Sequence, residues 1–233
     1  MERIGLGNIA NSFSLSLEPD SLRGPRGLGE LIASRYPLAA VPYGFFDVPW
    51  PEKILSAEID LVGRKLELHT VHIPPGSSNK WIKIETLEGL YRGLAHDCGH
   101  PRLLCGDFNM PQWELPDGTV VTWGQRLGKD GRVITRRNFR GGSGERWDAG
   151  ERNVLRGLAE FGLRDVYREM NRYGGEADYS WVLSRKGMTR NRRFDHVFAS
   201  PALKPIACRY LHEARERGLS DHSPILAEFE VQE

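Results

Sequence analysis

The stretch Arg102-Leu103-Leu104-Cys105-Gly106-Asp107-Phe108-Asn109 sets the terms for the rest of the chain. Two leucines and a cysteine in succession read as a short buried strand. Gly106 allows a sharp turn where that strand ends. Asp107 and Asn109 stand two residues apart, so an extended backbone turns both to the same side. A rigid strand end then presents a carboxylate beside a carboxamide. The carboxylate can take a proton from water or hold a metal, and the amide can donate to an oxyanion without carrying charge. Taken alone, the string fits turn chemistry after a strand equally well.

Two further blocks follow it. Arg193-Phe194-Asp195-His196-Val197-Phe198-Ala199-Ser200 brings a second carboxylate into an apolar strand. Leu219-Ser220-Asp221-His222-Ser223-Pro224-Ile225-Leu226 is a polar loop feeding the alternating Ala227 to Val231, a final strand. In this order the three blocks resemble the endonuclease/exonuclease/phosphatase family, which includes exonuclease III-like repair nucleases and pancreatic-type deoxyribonucleases. The resemblance runs from about Gly27 to the C-terminus. It implies an α/β (α+β) fold, with two packed, mainly antiparallel β-sheets flanked by helices in a four-layer sandwich. One domain is expected to span residues 1–233.

The same resemblance implies a divalent-metal-dependent phosphodiester hydrolase. Asp107 matches the carboxylate that activates water or contacts the metal, and Asn109 the amide that bonds the phosphate or leaving oxygen. His222 matches the histidine that donates to a non-bridging phosphoryl oxygen, with Asp195 holding its other nitrogen. Asp221 matches a carboxylate near the metal, and hard oxygen ligands suit Mg²⁺ or Mn²⁺. His72 stands where the family has a strand-end residue close to the phosphate, and Ser220 shapes its loop. The implied substrate is nucleic acid, DNA ahead of RNA, in a DNA endonuclease or exonuclease. A catalytically impaired binding member of the fold is the alternative, and a phosphatase or phospholipid phosphodiesterase a further one.

The chain departs from the family at its start. The family pattern begins with an asparagine ending one strand and a Gln-Glu ending the next, that glutamate being the principal metal ligand. No Gln-Glu precedes Ser34-Arg35-Tyr36-Pro37, which resembles the family's Ser-Arg-x-Pro segment, and Glu2, Asn8 and Glu18 stand in poor strand context. Two central strands and one metal ligand are therefore expected to be missing. A start at a downstream methionine, an unrecognised replacement and an altered metal site all fit, the first being preferred.

A net charge of +1 excludes a strongly basic nucleic-acid wrapper and leaves room for a local basic rim. Two basic groups offer one: Arg136, Arg137, Arg140 and Arg146, and Arg185, Lys186, Arg190, Arg192 and Arg193. Each fits an ordinary solvated face as well. Three cysteines, without paired metal spacing, read as structural thiols in a reducing compartment. With neither a signal peptide nor an apolar run of ~20 residues, a cytoplasmic monomer without membrane contact is expected.

Along the chain, a short helix is expected within Met1 to Phe13, strands at Ser14–Leu17, Leu31–Leu38, Lys53–Leu61 and Lys65–Ile73, and a helix over Trp81 to Ala95. Gly141 to Gly144 reads as a flexible tip and Glu151 to Phe161 as a helix closed by Gly162. Tyr179–Trp181 and Arg193–Ala199 read as a strand pair, and Leu203–Tyr210 as a strand. Among the histidines, His69 should face away from His72 and His196 away from Asp195. His96 and His100 read as solvated, and His212 as lacking a partner.

Overall fold

Alternating apolar residues and one long apolar helix build the frame that carries the site. The computed structural model describes residues 5–15, 27–42, 44–61, 63–185 and 187–231. Strand β1 (Asn8–Asn11) pairs antiparallel with β2 (Leu31–Ser34). After Pro37, β3 (Leu38–Ala40) leaves that hairpin and joins β4 (Ile54–Asp60), which forms a hairpin with β5 (Lys65–His72). The chain then passes through α1 (Gly76–Asn79) and α2 (Ile82–Leu94) and returns as β6 (Arg102–Asp107), parallel to β5. Parallel neighbours need such a crossover.

Three small ladders follow: β7 (Trp113–Glu114) with β8 (Val120–Val121), β9 (Gln125–Leu127) with β10 (Val133–Thr135), and β11 (Asn138–Phe139) with β12 (Gly142–Ser143). Helix α3 (Gly144–Leu155) runs on from the last of these, capped by the Ser143 hydroxyl. β13 (Arg164–Asp165) leads into α4 (Val166–Met170), and β14 (Trp181–Arg185) forms a hairpin with β15 (Met188–Arg192). β16 (Asp195–Ala199) pairs with β6 and β13. β17 (Leu203–Tyr210), α5 (His212–Glu216) and β18 (Ile225–Val231) close the chain, β17 pairing with β18. The main sheet has the order β13-β16-β6-β5-β4-β3.

One face of this sheet is sealed by helices. Ile84, Leu87, Leu90 and Leu94 of α2 are fully buried against Val71, Leu104, Phe108 and Phe198, together with Trp147 and Val154 of α3. Arg102 is buried on this side too, and its guanidinium donates to the Leu94 carbonyl at the end of α2 (2.9 Å), where free carbonyls favour a cation.

The other face carries two separate hairpins. β1–β2 packs Ala10 and Ile32 on Leu55, Ala57 and Ile59 of β4. β17–β18 packs Leu203, Cys208, Ile225, Ala227 and Phe229 on Val197 and Ala199 of β16. β4 and β16 are three strand steps apart in the sheet, about 14 Å at ~4.8 Å per step. Between the hairpins, Leu66, Leu68 and Thr70 of β5 and Leu103 and Cys105 of β6 are only half-buried. β2 and β18 each have one strand partner among the described residues. The mixed α/β architecture expected from the sequence is thus present, with its second sheet as two half-sheets around an open strip.

Several local expectations are corrected. Residues 8–11 form a strand rather than a helix, since Gly5 and Gly7 disfavour helix and β2 supplies a partner. Ser12–Leu15 is a 3₁₀ turn rather than strand. Glu2, Glu18 and Lys186 lie outside the described residues. The expected tip at Gly141–Gly144 is packed structure: a Cβ on Gly142 would stand 2.0 Å from the Trp81 ring, and one on Gly144 1.9 Å from the Arg136 carbonyl. Arg193–Ala199 pairs across the main sheet rather than with Tyr179–Trp181, because β14 and β15 form their own hairpin. The α2 helix, β4, β5 and β17 fall where the sequence places them.

Candidate active site

Strand register assembles the site. Asp107, the last residue of β6, lies opposite His72 on β5 and opposite Asp195 on β16. By the two-residue alternation all three share the face of Thr70, Cys105 and Val197, the open one. Gly106 has φ +137° and a Cβ there would meet the Val71 carbonyl at 2.0 Å, so only glycine lets β6 approach β5 and turn.

Asn109 reaches Asp107 through a tight turn rather than by extended alternation. Its φ is +52°. Its backbone N–H donates to Asp107 Oδ1 (2.8 Å), and Nδ2 donates to Asp107 Oδ2 (3.0 Å) and the Ile73 carbonyl (2.9 Å). Both amide hydrogens are therefore committed within the protein, one to Asp107 and one to the Ile73 carbonyl that fixes the amide. Beneath it, the Asn109 carbonyl accepts from Lys83 Nζ (2.8 Å) and Trp123 Nε1 (3.1 Å), and Lys83 pairs with buried Glu151 (2.5 Å).

Asp195 is held just as firmly. The Ser180 hydroxyl accepts from the backbone N–H of Phe194 and Asp195, both at 3.0 Å. The Tyr210 hydroxyl donates to the Asp195 carbonyl (2.6 Å). Asp195 Oδ2 meets His222 Nδ1 at 2.7 Å. A bridge between Trp181 and His222 and a bond from the His222 N–H to Ser220 Oγ (3.1 Å) fix the loop.

The two histidines carry opposite protonation. Burial alone would lower His222, but the bond and charge of Asp195, with Asp107 and Asp221 behind, raise it to about 9. Burial, with the charges of Lys53 and His222 adding, pushes His72 down to about 4. Burial and the Asp195 charge push the Asp107 carboxyl up to about 7. At neutral pH a charged His222 and a neutral His72 thus flank a carboxyl poised near its midpoint. His72 Nε2 lies 3.9 Å from Asp107 Oδ2.

These groups open into a cleft of about 840 Å³, lined also by Glu30, Trp123, Arg140, Trp181, Arg190 and Arg192. Asp221 is exposed and lines the same cleft, while the donor atoms that converge within 4.8 Å belong to Asp107, Asp195 and His222. The basic groups sort by contact. Arg140, Arg190 and Arg192 face the cleft, with Arg192 stacked over Trp113 at 3.4 Å. Arg193 is buried between Glu114 and Asp165, and Arg146 pairs with Glu88.

Sequence reading missed Glu30, Lys83, Ser180 and Tyr210. Glu30 accepts from Thr70 Oγ1 (3.0 Å), and burial raises it to about 6. Lys83 left a signal, since it stands on the stripe of Leu87, Leu90 and Leu94 where an apolar residue is due. His69 and His196 do face away, bonding Ser56 and the Met110 carbonyl. His100 is paired with Glu67, and His96 lies against the Arg102 guanidinium. His212 bonds Ser223 Oγ (2.9 Å) and stacks on Tyr179.

A family model described as "Endonuclease/Exonuclease/phosphatase family" matches residues 9–222. The chain belongs to the endonuclease/exonuclease/phosphatase family. By sequence, no curated protein matches it. Among solved structures, an endonuclease/exonuclease/phosphatase from Beutenbergia cavernae DSM 12333 is similar over 87% of this chain and 47% of its own, with 18% identity and a TM-score of 0.51. A family protein from Leptotrichia buccalis C-1013-b is similar over 86% and 64%, with 17% identity and a TM-score of 0.50. TDP2 of D. rerio, complexed with a single-strand DNA product, matches over 76% and 61%, with 16% identity and a TM-score of 0.49. The chain spans about half to two thirds of the length of these family structures. No helix among the described residues is long and apolar enough to cross a membrane.

Proposed function

We propose that this family member is a phosphodiester hydrolase that works with Mg²⁺ or Mn²⁺ on nucleic acid, DNA ahead of RNA. The observation that carries the reading is the convergence, within 4.8 Å in one cleft, of His222, held by Asp195, on the Asp107 carboxyl, whose pKa is raised to about 7.

The donor set suits a hard dication. Asp107 and Asp195 offer carboxylate oxygens within 4.8 Å of one another, and two carboxylates plus substrate oxygens are the usual way a protein holds Mg²⁺. The cost of crowding two carboxylates in a buried site, visible in the raised Asp107, is what a cation relieves. Asp221, exposed and lining the same cleft, adds negative charge there. Held by Asp107 and Asp195, a dication would supply neutralisation of phosphoryl charge and acidification of water.

The chain's own groups supply the rest. Asp107, oriented by Asn109, accepts the proton of an attacking water. His222 presents Nε2–H to a non-bridging phosphoryl oxygen, with its Nδ1–H committed to Asp195. Neutral His72 donates to the phosphate without adding charge. Arg140, Arg190 and Arg192 attract the backbone, and Trp123 and Trp181 offer faces for bases.

The test is cleavage of labelled DNA duplexes, with and without an abasic site, and of matched RNA, in Mg²⁺ or Mn²⁺. Cutting lost with EDTA and in His222→Ala is expected. Full activity in His222→Ala sinks the mechanism. Salt-sensitive DNA binding by a folded chain that never cuts would replace it with a binding role.

A further inference from the structure

A second cluster of metal-ligating side chains sits at the far end of the same two strands. In the parallel register His72 stands opposite Asp107, and Glu67 stands opposite Arg102. The two positions on β5 are five residues apart, roughly 16 Å at ~3.3 Å per residue. Around Glu67 gather Cys98 and His100, both on the connection from α2 to β6. His100 Nε2 lies 2.8 Å and Cys98 Sγ 3.9 Å from the same oxygen, Glu67 Oε2.

The carboxylate divides its work. Oε1 is engaged by His69 Nε2 (2.7 Å), with Arg102 Nε at 3.5 Å. His69 is itself fixed by Ser56 Oγ on its other nitrogen (2.7 Å). One oxygen is thus oriented from behind by a histidine, as supporting shells of metal sites commonly are. The other oxygen faces a thiol and an imidazole. All three groups are half-buried, and their donor atoms lie within 4.8 Å of one another. Ligand atoms around tetrahedral zinc sit roughly 3.3–3.8 Å apart, given bond lengths of about 2.0–2.3 Å, so small side-chain rotations close the set.

We propose that Glu67 Oε2, Cys98 Sγ and His100 Nε2 bind Zn²⁺ and thereby pin the α2–β6 connection to β5. A thiolate, an imidazole and one carboxylate select zinc, whereas the all-oxygen pair Asp107 and Asp195 suits Mg²⁺. On binding, Cys98 releases its proton to solvent, and His100 ligates as neutral imidazole with its proton on Nδ1. Three protein ligands leave a fourth position for water or an added ligand. Without metal, a His100–Glu67 ion pair accounts for one of the two contacts to Oε2, and the other is only a long thiol hydrogen bond from Cys98 (3.9 Å).

The full chain, freed of metal, is titrated with Co²⁺ and then Zn²⁺. The near-ultraviolet thiolate-to-cobalt absorption is followed, and Cys98 alkylation is mapped by mass. One saturable equivalent is expected, displaced by Zn²⁺, retained in Asp107→Asn and lost in Cys98→Ser and His100→Ala. Zinc should slow Cys98 alkylation about tenfold or more, since a metal-bound thiolate is not free to attack. Absence of the band in the parent chain, with Cys98 alkylated equally fast with and without zinc, overturns the proposal. So does a band that survives in Cys98→Ser.

Discussion

The two faces of the six-stranded sheet differ in how completely they are covered. Helices α2 and α3 seal one, and Leu87, Leu90 and Leu104 have no exposed surface there. Two hairpins cover only the flanks of the other, leaving Leu68, Thr70 and Cys105 half-buried in the middle. Every candidate catalytic side chain on the sheet points to the open face. The closed face supplies Lys83, which with the cleft-lining Trp123 holds the Asn109 carbonyl. The cleft lies on the open face, lined by Glu30 as well as by His222. The division predicts that substitutions on the open face change chemistry with little cost in stability, and that those on the closed face do the reverse.

The sharpest break of this division is at Asp107. Asp107→Asn removes the proposed proton acceptor while keeping the shape, and should lower kcat about 10²–10⁴-fold. His222→Ala removes a charged donor and should cost about 10²–10³-fold. Steady-state kinetics and urea denaturation on the same variants check both halves of the claim. A loss of stability comparable to that of a closed-face variant would mean that the two faces are not separable.

On the closed face the largest effect belongs to Lys83. Lys83→Met keeps the stem but leaves Glu151 charged and buried, which should cost about 3–5 kcal/mol. Leu90→Ala empties a fully buried site and should cost about 2–5 kcal/mol. Urea midpoints with unchanged slopes would confirm that stability alone has moved.

How far the sequence foretells these faces depends on whether a residue's partner is near in the chain. β4, β5, α2 and β17 carry their periodicity within themselves. The cluster Asp107, Asn109, Asp195 and His222 was readable because short motifs mark strand ends, and strand register then brings those ends together. Ser180, Tyr210 and Glu30 act through backbone atoms or residues 15 to 40 positions away, and no local pattern announces them. β1 was misread as helix, although β2 was read as a strand, because β1 owes its conformation to pairing across 26 residues at Asn8 and Ser34 rather than to local preference. His100 was misread for the same reason, as its partner Glu67 lies on another strand.

Titration offers a further test of the open face, made on the chain in EDTA so that no metal intervenes. His222 is raised above its ordinary 6.5 to about 9. Its pairing with Asp195 therefore stabilises the fold fully below pH 6.5, and that contribution is lost as pH rises through 9. Asp107 is raised from 3.8 to about 7, so its share runs the same way at lower pH: it favours the fold fully below 3.8 and that advantage is lost as pH rises through 7. Urea midpoints across pH should show stability declining between 6.5 and 9, and His222→Gln should flatten that decline. An unchanged decline in His222→Gln would assign it to another group.

The smallest expected effect is the most informative about the uncovered strip. Leu68 sits at the middle of β5, paired with Ala57 on one side and Leu103 on the other. In a fully closed sandwich it would be as buried as Leu90. Since it is only partly buried, Leu68→Ala gives up less transfer energy and leaves no sealed cavity, and should cost only about 1 kcal/mol. The paired comparison of Leu68→Ala with Leu90→Ala, by urea denaturation at two protein concentrations, therefore measures whether the strip is open in solution. Equal costs would mean that the strip is covered there. A cost that grows with protein concentration would identify the cover as a second copy, because two strand edges without a partner among the described residues, beside an apolar strip, are what another chain can pair with.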